Sequence, residues 1–154
     1  MPLENPHQHV GFLMHDVARL LRKQFEQRAR AFGRDFTRAH WSVLSHLSRR
    51  EGIHQAGLAE ILEIEPISLV RLLDRLESDG LVERRPDPRD RRTRRLYLTP
   101  AAHPVLTEMR ALGAAVRQEA LAGISPADQE TLLAALQVMK ANLLKNDAED
   151  AANG

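Results

Sequence analysis

Residues 58–102 read LAEILEIEPISLVRLLDRLESDGLVERRPDPRDRRTRRLYLTPAA. Within this stretch Leu69, Leu72, Leu73 and Leu76 stand at i, i+3, i+4 and i+7, the spacing of one helix face. Ser68, Arg71 and Arg75 fall on the opposite face. The pattern predicts a helix over 66–79. Pro66 suits its first turn, where a missing N–H costs little, and Gly80 suits the position just past its end. A shorter helix over 55–62, with Leu58, Ile61 and Leu62 inward, precedes it across the tight connection Glu63-Ile64-Glu65-Pro66. Small Ala59 stands where the two would cross. A short helix, a tight turn and a second helix with a polar outer face describe a helix-turn-helix.

Two strands follow, Leu81-Val82-Glu83-Arg84-Arg85 and Arg94-Arg95-Leu96-Tyr97-Leu98, joined by a loop holding the turn formers Pro86, Asp87, Pro88 and Asp90. This predicts a β-hairpin with an arginine-rich tip, which would be the wing of a winged helix. Residues 84–95 hold seven arginines against two aspartates, in a chain whose net charge is only +1. The rest of the chain is therefore net acidic, and the positive charge is concentrated in one segment. The guanidinium fork suits phosphate oxygens and base edges. The alternative, a solvated charge run, is disfavoured because arginines this dense repel one another when no phosphate is present.

On the N-terminal side, residues 10–32 repeat apolar groups at helical spacing (Val10, Leu13, Met14, Val17, Leu20, Leu21, Phe25, Phe32), and Gly33 is placed to end that helix. Thr37 is a suitable N-cap for a helix carrying Trp41, Leu44 and Leu47, closed by Glu51-Gly52. Thr99-Pro100 predicts the start of a fifth helix bearing Val105, Leu106, Met109, Leu112, Val116 and Leu121. Pro104 inside it is expected to distort its first turns. Ser125-Pro126-Ala127-Asp128 begins a sixth, with Leu132, Leu133, Leu136, Met139, Leu143 and Leu144 on its apolar side. The acidic, small-residue tail 147–154 is expected to fray into disorder.

The expected architecture is mainly α (α+β): a winged helix-turn-helix over 36–99, flanked by long helices in 1–35 and 100–146, in one structural domain. The stripes formed by Val10, Leu13 and Val17, by Leu112 and Val116, and by Leu132, Leu136, Met139 and Leu143 exceed what a small wing domain can cover. A second copy of the chain is expected to bury them.

Composition narrows the function. At 154 residues, 43% hydrophobic and 28% charged, the chain matches an ordinary globular protein with a real core. It has no cysteine, which excludes a disulfide, a thiolate zinc site and cysteine redox sensing. The segment MPLENPHQHVGFLMHD is too polar for a secretory signal, and no apolar run reaches the length of a membrane span, so a cytoplasmic, membrane-free location is expected. The seven histidines (7, 9, 15, 40, 46, 54 and 103) show no metal-ligand spacing; His7 and His9 lie two apart, His40 and His46 six apart. There is no Gly-rich phosphate loop and no nucleophile motif. Ser68 and Ser125 read as helix-start residues. No cofactor, metal or catalysis is expected.

In a helix-turn-helix, the exposed N-terminal half of the second helix reaches base edges in the major groove. Ser68 and Arg71 are placed for that, and Arg75, a turn further on, for a phosphate. An arginine tip suits the narrow minor groove of A·T-rich tracts. Arg91 is the candidate for groove insertion, and Arg84, Arg85, Arg89, Arg92, Arg94 and Arg95 the candidates for holding backbone phosphates. Asp90 would pair with a neighbouring arginine and shape the tip.

These residues also resemble the MarR family of bacterial regulators, and most closely its SlyA-like branch. The matching features, spread over roughly residues 10–145, are LVRLLDRLE, GLVERR, the DRR wing tip, the LT before the fifth helix, the upstream HW pair and the downstream GIS. The resemblance implies a homodimeric winged-helix transcriptional regulator that binds a palindromic operator on double-stranded DNA in the nucleoid, as a repressor or anti-silencer. It implies that the first, fifth and sixth helices entwine, that Ser68 and Arg71 contact DNA from the recognition helix, and that Asp90 and Arg91 form the wing pair. It further implies release by a small aromatic or phenolic carboxylate, for which Arg19, Arg22, His40, Trp41 and Leu44 are the candidate pocket. Two residues depart from the family pattern. Glu63 stands where glycine is usual, so the turn is expected to be reshaped and the recognition helix tilted. Ala102 replaces a glycine after LT. The competing function is a winged helix used only for protein contact, which needs no arginine tip.

Overall fold

The first helix, α1 (Val10–Ala31), closes in a glycine C-cap: Gly33 takes φ 75°, and the Arg34 N–H reaches back to the Ala29 carbonyl at 2.9 Å. Then come α2 (Arg38–Arg49), α3 (Gln55–Leu62), α4 (Pro66–Ser78), β1 (Val82–Pro86), β2 (Arg94–Leu98), α5 (Ala102–Ala120) and α6 (Pro126–Asn153). The computed structural model describes residues 9–153; the expectations placed on residues 1–8, His7 among them, lie outside these. The described residues divide into a larger unit running through Arg117 and a smaller one from Gln118 onward.

The fold is mainly helical with one small antiparallel sheet, as the sequence predicts. β1 and β2 pair from Val82 opposite Leu98 to Pro86 opposite Arg94. Residues 52–54 add a short third edge to β2. The Gly52 N–H donates to the Leu96 carbonyl at 2.8 Å, the Leu96 N–H donates to the Ile53 carbonyl at 3.0 Å, and His54 bridges Arg95. Gly52 is required here: its φ is 79°, and a Cβ would stand 3.3 Å from the Tyr97 hydroxyl.

Leu47, Leu58, Leu69, Leu73, Leu76 and Leu96 are completely buried and bind α2, α3, α4 and the hairpin into one core. Each such leucine contributes about 2 kcal/mol by leaving water. Phe25, Val43, Leu44, Val105, Leu106 and Met109 extend the same core to α1, α2 and α5. Leu112 and Val116 are buried in it too. The stripe assigned to a partner on the fifth helix is therefore packed within the chain, because its spacing continues the Val105–Met109 face without a break. By contrast Val10, Leu13, Val17, Leu132 and Leu143 are exposed, and Leu136 and Met139 half-buried.

Two helix ends differ from expectation. The Thr99 hydroxyl donates to the Gly80 carbonyl, and α5 starts later, at Ala102, after a tight turn in which the Ala102 N–H meets the Thr99 carbonyl at 3.0 Å. Pro104 thereby falls in the first turn of α5, where its ring and missing N–H are tolerated. At the far end, α6 stays helical through Asn153 over residues expected to fray. Ala148, Ala151 and Ala152 are strong helix formers, and Lys145 lies 3.9 Å from Glu149 one turn on. The start of α6 is as predicted: the Ser125 hydroxyl accepts the Asp128 N–H at 3.1 Å.

Candidate nucleic-acid interface

The turn between α3 and α4 keeps the shape a glycine would give it. Glu63 adopts φ 52°, ψ 44°, the left-handed conformation, and it alone among non-glycine described residues has positive φ. The Ile64 N–H closes the turn on the Ala59 carbonyl at 3.1 Å. The reshaped turn expected from the glutamate is not observed; the residue bears the strain because Ala59 and Leu69 are buried on either side. Pro66 then occupies the first position of α4.

Burial of Leu69, Leu73 and Leu76 fixes the rotation of α4. It leaves Ile67, Ser68, Arg71, Asp74 and Arg75 on the solvent side. Arg75 is tied to Asp79 one turn on, at 3.0 Å. Arg71 has no ion-pair partner among the described residues.

The structure sorts the wing arginines into two groups. Arg84, a phosphate candidate by sequence, has its guanidinium held by Asp74 at 2.6 Å and Glu77 at 3.0 Å, and its backbone N–H also meets Glu77. It joins β1 to the recognition helix. The guanidinium hydrogen bond from Arg84 lowers the pKa of Glu77, so that carboxylate stays charged. Arg85 bonds Glu83 at 3.0 Å and lies 4.1 Å above the Tyr97 ring. Arg95 bonds Asp87 at 3.0 Å and the Gly52 carbonyl at 3.2 Å. The second group comprises Arg89, Arg91, Arg92 and Arg94. All four are exposed, and no ion pair among the described residues involves them. The wing side chains without an ion pair are therefore those of the loop, together with Arg94 at the start of β2.

Asp90 does shape the tip, though through backbone and not through a guanidinium. Its carboxylate accepts the Arg92 N–H at 3.0 Å, and its carbonyl accepts the Thr93 N–H and hydroxyl. A residue the sequence marks only as a turn former, Asp87, holds the root. It is buried, and its carboxylate accepts from His54 Nε2 at 2.6 Å, the Arg89 N–H at 2.9 Å and Arg95 Nε at 3.0 Å. The His54 hydrogen bond, followed by that of the Arg89 N–H, holds the Asp87 pKa far below the ordinary aspartate value. The only sequence signal for this role is the spacing Asp87-x-Arg89, which permits a side-chain bond to the backbone two residues on.

Of the effector candidates, Arg19 and Arg22 lie on α1 and His40, Trp41 and Leu44 on α2. Leu44 is fully buried core and cannot floor a pocket. Trp41 is half-buried, 6.3 Å from the Phe25 ring. His40 completes a capping box with Thr37, accepting the Thr37 N–H at 3.1 Å. Burial, and then the charge of Arg75, lower the His40 pKa, so it is neutral at pH 7. Arg19 lies 3.7 Å from Asp16, and Arg22 is exposed. Among the described residues no cluster of three or more His, Cys, Asp or Glu is arranged to hold a metal. No helix among them is long and apolar enough to cross a membrane.

A short helix, a tight turn, a second helix with polar side outward and a cationic hairpin define a winged helix-turn-helix of the DNA-binding class. Comparison with known proteins agrees. The family model described as MarR family matches residues 34–93. The solved structure of transcriptional regulator PA3341 is 36% identical, with a TM-score of 0.75, over 89% of this chain and 99% of that one. A MarR-family regulator from Silicibacter pomeroyi is 30% identical, with a TM-score of 0.71, over 87% and 89% of the two chains. Another from Rhodococcus sp. RHA1 is 25% identical, with a TM-score of 0.78, over 89% and 96%. The chain belongs to the MarR family. It is a transcriptional regulator, not an enzyme.

Proposed function

We propose that the protein is a homodimeric, sequence-specific regulator of the SlyA-like branch that binds a palindromic operator in the bacterial cytoplasm, as a repressor or anti-silencer. The observation that carries this reading is the division of the arginines. Arg84, Arg85 and Arg95 are held by the protein, whereas Arg71, Arg89, Arg91, Arg92 and Arg94 face solvent without ion pairs. Cations left unpaired while neighbouring ones are clamped suit phosphate and base edges. Ser68 and Arg71 enter the major groove, Arg91 the minor groove, and Arg75, Arg89, Arg92 and Arg94 hold backbone. The exposed apolar residues of α1 and of α6 are covered by a second copy. This assigns 36–99 to DNA, and 1–35 with the sixth helix to dimerisation. A small aromatic carboxylate reaching Trp41, with Arg19 or Arg22 as its cation, is the proposed effector. Because Trp41 is the sole tryptophan, quenching of its emission by a benzoate-type acid tests that part.

Selection from random duplexes tests the whole. The expected product is a palindrome bound by wild type and lost on Arg71→Ala and Arg91→Ala, with the dimer intact. If both variants bind as wild type does, the assignment is wrong.

A further inference from the structure

Ile67 is 65% exposed on the first turn of α4, between Pro66 and Ser68. Single exposed apolar residues are common on proteins and call for no explanation by themselves. The position of this one distinguishes it. It shares the solvent side with Arg71, one helical turn further on, and it lies at the end of α4 that reaches deepest into a groove. Leu69, Leu73 and Leu76 lock the rotation of the helix, so Ile67 cannot turn inward.

We propose that Ile67 reads a thymine. This rests on the DNA-binding reading given above. Among the groups that base pairs present in the major groove, the thymine 5-methyl is the apolar one, and the others donate or accept hydrogen bonds. A branched aliphatic side chain can satisfy none of those polar groups, and against them it would leave a donor or acceptor dry. Against a methyl it buries apolar surface on both sides. Ile is also stiff at χ1 in a helix, so little rotamer freedom is lost on contact. Pro66 fixes the backbone immediately before it. The recognition face thus combines one charged reader, Arg71, with one methyl reader, Ile67, and the operator half-site should carry a thymine at a fixed offset from the base pair that Arg71 contacts.

The test replaces thymine by deoxyuridine, position by position, in a selected operator; this removes the methyl and leaves the hydrogen-bonding pattern intact. For wild type, one thymine per half-site should respond with about a fourfold loss of affinity, the value of one buried methyl-sized group. Ile67→Ala should bind the unmodified operator about fourfold more weakly per half-site and show no further loss with deoxyuridine. Unchanged melting temperature confirms that the variant is folded. If every deoxyuridine is neutral for wild type, or if the variant loses as much as wild type does, Ile67 does not read thymine, although DNA binding stands. If wild type retains no duplex at all, the DNA-binding reading fails and this assignment with it.

Discussion

His54 Nε2 lies 2.6 Å from Asp87 Oδ2, so the residue that precedes α3 is tied to the root of the wing. Arg95 joins the same carboxylate from β2 and also reaches the Gly52 carbonyl. The hairpin is thus braced against the helix-turn-helix by a buried charge with several partners, not by side-chain packing alone. A wing so braced presents its tip at a fixed distance from the recognition helix, which is what simultaneous contact with two grooves demands.

Asp87→Asn should lower thermal stability at neutral pH and loosen the wing. The folded pKa of Asp87 is depressed below the ordinary value of 3.8, so the native carboxylate stays ionised where the unfolded one takes up a proton. The stabilisation is therefore complete above that value and is lost as pH falls below it. Melting curves of wild type and variant should differ at pH 7 and draw together below about pH 4. A constant gap across that range would show that Asp87 acts by some other route.

Glu63→Gly should stabilise the protein by about 1 kcal/mol, because φ 52° costs a glutamate what it does not cost a glycine. The midpoint should rise by about 2–4 °C for a chain of this size. A fall would mean that the glutamate makes a compensating interaction.

Arg84 and Arg91 should separate cleanly. Arg84→Ala breaks the link to Asp74 and Glu77 and should cost about 1 kcal/mol of stability, since those partners are partly exposed and screened. The salt dependence of DNA binding should not change. Arg91→Ala should leave stability as it is and reduce the slope of log K against log[salt] by about 1 per half-site. Titrations at several salt concentrations, paired with melting curves, distinguish the two roles.

Val17→Glu with Leu143→Glu places charge on two exposed apolar positions. Sedimentation should show a monomer that keeps its helical content and binds a single half-site weakly. A stable dimer would move the interface elsewhere.

The leucine spacing of α4, the hairpin and the Gly33 and Gly80 helix ends are legible in the sequence, because each depends on residues close together along the chain. Leu112 and Val116 are not, because periodicity marks an apolar face without saying whether its cover comes from the same chain. Arg84 resembles its neighbours in sequence because its partners, Asp74 and Glu77, lie on a different element. Asp87 is hidden for the same reason: His54 is 33 residues away, and only the folded chain brings them together. Thr99 fits a cap by sequence, but its hydroxyl goes instead to the carbonyl of Gly80, 19 residues back.

Joint grip of one duplex by α4 and the wing tip has a direct readout. Fluorescence anisotropy on a selected palindrome, for wild type, Arg71→Ala and Arg91→Ala over a range of salt, tests it most directly. Wild type should show a steep salt-dependent affinity, at about 0.9 of log slope per neutralised phosphate, and each variant a large loss. Affinity that is flat in salt and equal in all three proteins would contradict it.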